Sequence, residues 1–101
     1  VGPGEIEDCL ARHPAVSLAA AVGVPDPLRT ERIKAFVVLK HGVNGGPDLE
    51  KDLRDFVDRR LSPHERPRAI EFVDSLPMTA TGKIKRKELR LAEIAKAARK
   101  G

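Results

Sequence analysis

Tryptophan and tyrosine are absent from the 101 residues, phenylalanine occurs three times, and cysteine and methionine occur once each. With so few rings, the stacking platforms on which single strands and RNA bases rest are poorly supplied. Cys9 cannot close an internal disulfide, and its place among apolar neighbours at helical spacing reads as a small core residue in a reducing, cytoplasmic compartment. No apolar run is long enough, or free enough of charge, to read as a membrane span. His13, His41 and His64 are scattered without metal-ligand spacing, so they are given surface or capping roles and no metal site is assigned.

What the chain does contain is 41% hydrophobic and 34% charged residues, enough apolar matter for one small folded domain. The formal charge of +4 is unevenly spread. Residues 83–101 carry 8 Lys/Arg against 2 Asp/Glu, whereas residues 1–82 are slightly acidic. A terminal basic run is compatible with a nucleic-acid module, but the shortage of aromatics favours a smaller anion. Val1-Gly2-Pro3-Gly4 is turn-like, and is read as an internal boundary with further protein before it.

Hydrophobic spacing divides the chain into six elements. Ile6, Cys9 and Leu10 predict a short helix over Glu5 to Arg12, its first turn loaded with acid and its end set by His13-Pro14. Val16 to Val24 reads as a strand with Val16, Leu18, Ala20 and Val22 on one face. After Pro25-Asp26-Pro27, alternation from Ile33 to Leu39 gives a second, antiparallel strand. Asp48 is the expected N-cap of a helix whose inner face is Leu49, Leu53, Phe56, Val57 and Leu61. A third strand runs from Ala69 to Asp74, and a last helix from about Lys87 to Arg99 with the stripe Leu91, Ile94, Ala95 and Ala98. The order predicts an α+β domain, a small mostly antiparallel three-stranded sheet covered by about three helices. None of these segments supplies a deep pocket, so chemistry is expected at an interface.

Between the third strand and the last helix lies Leu76-Pro77-Met78-Thr79-Ala80-Thr81-Gly82-Lys83, rich in hydroxyls and ending in Gly-Lys. It is not a nucleotide-hydrolysing phosphate loop. That loop needs a glycine five residues before its Gly-Lys and a Ser or Thr after the lysine, where this chain has Pro77 and Ile84. What remains is a single compact cation on a pliable loop, suited to an anion held by another surface.

Several stretches together resemble the adenylate-forming, AMP-binding enzyme superfamily, in its C-terminal domain. They are Glu5-Ile6-Glu7 with His13-Pro14-Ala15-Val16, Val22-Gly23-Val24-Pro25-Asp26-Pro27, Ile33 to Leu39, and Leu76 to Arg86 with its Gly-Lys and trailing arginine. They occur in the family's order and spacing across nearly all of the chain. The turn Pro25-Asp26-Pro27-Leu28-Arg29-Thr30-Glu31 is similar to the medium-chain acyl-CoA synthetase branch.

The resemblance implies that residues 1–101 form the mobile C-terminal domain of an AMP-forming acyl-CoA synthetase, the N-terminal adenylation domain and hinge lying outside the chain. Lys83 would be the adenylation lysine, with Gly82 beside it at the cofactor, and rotation of the domain would bring a second face to the acyl-AMP. On that face Arg29, Arg66, Pro67 and Arg68 are the implied coenzyme A contacts, guanidinium suiting phosphate. Where relatives often place a basic coenzyme A contact this chain has Asp58, with Arg59 and Arg60 as alternatives. ATP, a carboxylic acid and coenzyme A are the implied substrates, Mg²⁺ would be bound by the missing domain, and the isolated chain is expected to be inactive. An amino-acid adenylation domain that loads a carrier protein is the alternative within the same chemistry.

Overall fold

The computed structural model describes residues 3–25, 31–61, 67 and 69–100. Its elements are α1 (Pro3–Ala11), β1 (Val16–Pro25), β2 (Glu31–Leu39), α2 (Pro47–Arg60), β3 (Ala69–Phe72) and α3 (Arg86–Lys100). The sheet has the order β1-β2-β3, with β1 antiparallel to β2 and β3 parallel to β2. Placing β3 parallel requires a crossover, and α2 supplies it. The expected α+β architecture is therefore present, with a mixed sheet. No helix among the described residues is long and apolar enough to cross a membrane.

One sheet face is covered by α1 and α2. Ile6, Cys9 and Leu10 from α1 and Leu53 and Val57 from α2 pack on Val16, Ala19, Ala21, Ala35, Val37 and Ile70. The alanines of β1 leave room for α1 to lie close. The opposite face holds a smaller cluster of Ala20, Val22, Val24, Phe36 and Leu76, completed by Leu18, Val38, Val73, Ile84 and Leu89.

Val16 departs from the simple alternation. It pairs with Leu39 while Leu18 pairs with Val38, so β1 has one extra residue against β2 at this point. This β-bulge turns Val16 to the α1/α2 face, although Leu18, two residues on, faces the other way. Strict period-two reasoning had grouped them together.

Two helix expectations are corrected. Gly46, in extended conformation, occupies the N-cap of α2 without a side-chain cap, and Pro47 begins the helix. Proline suits that position because its fixed φ is already helical and its missing N–H has no partner to lose. Asp48 joins Glu50 in the first turn, and Arg59 and Arg60 occupy the last, both matched to the helix dipole.

In α3 the expected stripe is buried only in part, Ile94 being half-buried. Leu91 is 51% exposed, and Ala95 is exposed as well; Leu89 is the residue packed on the sheet-side cluster. The side chain of Ala98 lies outside the described residues. The sheet beneath α3 offers Lys34 and Glu71, so the helix answers with Glu93 and Lys96. A charged contact face is invisible to a search for apolar spacing.

Candidate functional site

Residues 78–84 form a small hairpin, with Met78 and Ile84 bridging antiparallel. The Gly82 N–H donates to Thr79 O at 3.0 Å, and Gly82 has φ +86°. A turn followed by a left-handed residue is the closing geometry of a three-residue hairpin loop, and glycine enters that region without steric cost. The Thr79 N–H donates to Lys83 O at 2.7 Å, while Thr79 Oγ1 accepts from the Lys83 N–H at 3.0 Å and lies 3.0 Å from Thr81 Oγ1. The two threonines therefore hold the loop to itself rather than waiting for a ligand.

This geometry fixes the Lys83 backbone and leaves its side chain exposed. Among the described residues no carboxylate pairs with the Lys83 ammonium. The base of the hairpin, by contrast, is tied down. Leu76 is 7% exposed, Ile84 packs on the α3-side cluster, and the Lys85 N–H donates to Pro77 O at 2.8 Å.

The strongest tie is polar. Arg86, the first residue of α3, donates from Nε to Glu7 Oε2 at 2.7 Å and from Nη2 to Glu7 Oε1. Glu7 is buried, and its Oε2 also accepts from the Ala21 N–H of β1 at 2.7 Å. One carboxylate thus joins α1, β1 and the end of the Lys83 hairpin. The fork to Glu7 raises the Arg86 pKa further, against a smaller opposing effect of burial. Arg90 adds a hydrogen bond from Nε to Gly23 O at 3.0 Å.

The remaining candidate positions are distributed elsewhere. Arg29, Arg66 and Arg68 lie outside the described residues. Pro67 is buried and lines a shallow cleft with Arg54, Val57 and Asp58. Asp58 and Arg59 are exposed at the end of α2, whereas the Arg60 guanidinium carbon lies 3.6 Å from the Phe56 ring centroid and Nη1 donates to Phe56 O at 3.2 Å. Cys9 is buried, and desolvation raises its thiol pKa despite nearby Arg60 and Arg12, so it is a packing residue with little thiolate.

His13 corrects a surface expectation, being 7% exposed. The Ala15 N–H donates to Nδ1 at 3.1 Å, so the proton lies on Nε2 and is donated to Asp52 at 2.6 Å. The ring also meets Phe56 edge-on at 5.0 Å. It links the α1 terminus to α2.

The sequence reading missed Glu7 as a site-supporting group, taking it as acid in a first helical turn and as part of the Glu5-Ile6-Glu7 stretch. A signal was present. At 3.6 residues per turn Glu7 lies about 60° from Leu10 around α1, at the edge of the buried stripe, where an unpaired carboxylate would be costly.

Residues 5–83 match the family model described as the AMP-binding enzyme C-terminal domain. A 4-hydroxybutyrate–CoA ligase of Metallosphaera sedula is 50% identical over 93 residues, covering 92% of this chain and 16% of that ligase. The crystal structure of a Brucella canis acyl-CoA synthetase superposes with a TM-score of 0.91 at 52% identity, over 96% of this chain and 18% of that one. That of an anthranilate CoA ligase in complex with anthranoyl-AMP gives a TM-score of 0.92 at 43% identity, over 97% of this chain and 19% of the ligase. The chain thus spans less than a fifth of the length of the relatives it matches.

Proposed function

The chain belongs to the family of AMP-binding enzyme C-terminal domains, and on that premise we propose that it completes the active site of an acyl-CoA synthetase by presenting Lys83 to an N-terminal adenylation domain of the same polypeptide. The observation that carries this reading is an exposed ammonium group, unpaired among the described residues, on a hairpin whose base is firmly anchored.

In the first half-reaction a carboxylate oxygen of the acid attacks the α-phosphorus of ATP, pyrophosphate leaves, and acyl-AMP results. Two anions must approach while negative charge spreads over the phosphoryl oxygens. Lys83 supplies a positioned positive charge at that moment, and Gly82 lets the backbone come close. In the second half-reaction the thiol sulfur of coenzyme A attacks the acyl carbon and AMP departs. For this step the domain rotates, with Arg29, Arg66, Pro67 and Arg68 toward coenzyme A. The names of the similar ligases support free coenzyme A as acceptor over a carrier protein.

Among the described residues no three His, Cys, Asp or Glu gather in a way that fits a metal ion. The assignment of Mg²⁺ to the adenylation domain rests on the family resemblance, and no step proposed for this chain runs through it. Four of the eight basic residues near the terminus are engaged within the fold: Arg86 with Glu7, Lys85 with Glu88, Lys96 with Glu93 and Glu71, and Arg90 with Gly23 O. This speaks for an intramolecular role rather than a nucleic-acid surface.

Lys83→Ala in the full-length synthetase tests the reading. Losing one preorganised donor to developing charge costs about 2.7–4 kcal/mol, or about 100- to 1,000-fold in rate. Acyl-AMP formation, followed by pyrophosphate exchange, is expected to fall by that factor while the thermal midpoint stays put. Unimpaired exchange refutes the assignment.

A further inference from the structure

We propose that Arg86 and Glu7 act as a positioning pair for Lys83, specific to the adenylation half-reaction; this rests on the assignment of Lys83 above. Three features point the same way. First, Arg86 follows Lys83 by only three residues, with Ile84 and Lys85 between them held by the Met78–Ile84 bridge and the Lys85 N–H to Pro77 O bond. Little slack separates the two cations. Second, the fork of Arg86 on both oxygens of Glu7 fixes orientation as well as distance, which the non-directional apolar packing of Ile84 does not. Third, Glu7 is itself immobilised, buried on α1 and bonded to the Ala21 N–H in β1.

Through Arg86, at the start of α3, the hairpin is thereby tied to the buried contact between α1 and β1. The partners are 79 residues apart in sequence, so this is a tertiary device and not a local turn preference. The Arg86 side chain is 49% exposed, against 9% for Glu7, so the arginine can meet solvent while the carboxylate depends on it. A small rotation at Arg86 would swing the Lys83 ammonium by an ångström or more, and misplacement of that size can cost about 100-fold in a reaction governed by geometry.

The two half-reactions separate positioning from stability, since the second one uses another face of the domain. In the full-length synthetase, Arg86→Lys keeps the charge and loses the fork, and Glu7→Gln keeps an acceptor for Ala21 and loses the charge. Both are measured by acid-dependent ATP–pyrophosphate exchange and by thioester formation from pre-made acyl-AMP and coenzyme A, with Lys83→Ala as reference. The expected result is a fall of about 10- to 100-fold in kcat for exchange, with KM for ATP little changed and thioester formation within about 3-fold of wild type. Equal losses in both half-reactions would reduce the pair to a structural tie. Normal exchange in Arg86→Lys and Glu7→Gln, with exchange lost in Lys83→Ala, would overturn the pair alone. Normal exchange in Lys83→Ala would remove the Lys83 assignment and this inference together.

Discussion

The two faces of the sheet are closed by different forces. Under α1 and α2 the contact is made by apolar side chains, and Leu10, Ala21, Ala35, Val37, Leu53 and Val57 are all 0% exposed. Under α3 the apolar cluster is smaller, and the helix is held at its start by Arg86 on Glu7 and further along by Lys34, Glu71, Glu93 and Lys96. Apolar burial is non-directional and indifferent to pH, whereas ion pairs fix orientation and depend on protonation. The candidate lysine stands on the side where orientation is enforced.

The apolar face is predicted to give the largest loss. Leu53→Ala removes a fully buried side chain at the α2 contact and should cost about 2–5 kcal/mol, read as a drop in the denaturant midpoint. That loss should be the same at pH 5 and pH 8. A loss that varied strongly across this range would mean that charge also holds the α2 side, and the contrast between the faces would fail.

The charged face should respond to pH instead. Burial alone would raise the Glu93 carboxyl, but hydrogen bonds and charge from Lys34 and Lys96 take it below 4.5. Burial likewise disfavours charged Lys34, and the bonds and charge of Glu71 and Glu93 outweigh it, raising the ammonium above 10.5. The signs are opposite. The Glu93 contribution is complete above its unfolded value and disappears as pH falls through the lower folded one; that of Lys34 is complete below its unfolded value and disappears as pH rises through the higher folded one. Glu93→Gln should therefore cost about 1.5–3 kcal/mol at neutral pH and flatten the acid side of a profile of thermal midpoint against pH. An unchanged acid side would show that α3 is seated by Leu89 and its apolar neighbours instead.

The same contrast explains what could be read in the sequence. Elements on the apolar face announce themselves by spacing: Ile6, Cys9 and Leu10 in α1, and Leu53 and Val57 in α2, were expected inside and are buried. The loop was legible as a chemically distinctive stretch through Thr79, Gly82 and Lys83, but it was read as pliable, and its hairpin form comes from the Met78–Ile84 bridge. The charged face was not. Lys34 and Glu71 look like solvent residues of alternating strands, and only the register, with Phe36 opposite Glu71, puts them on the face that α3 covers. Similarly, nothing in the residue types around Ser17 reveals the bulge that turns Val16 over. Pairing partners 79 residues apart, as in Glu7 and Arg86, follow from topology and not from pattern.

His13 and Asp52 give the smallest expected effect and the finest test of the contrast, since they form the one ion-pair-like contact between the α1 terminus and α2 for which the described residues record a distance. His13 is buried, but Asp52 is 62% exposed, so the contact lies at the solvent edge, where water can accept the Nε2–H hydrogen bond in place of the carboxylate. The ring keeps its Nδ1 bond to the Ala15 N–H and its edge contact with Phe56 whatever occupies position 52. Asp52→Ala should accordingly lower stability by no more than about 1 kcal/mol, the range of an exposed pair. A larger loss in the thermal midpoint would make charge a fastener on the α1/α2 face too, and the division between a face closed by shape and a face closed by charge would have to be redrawn.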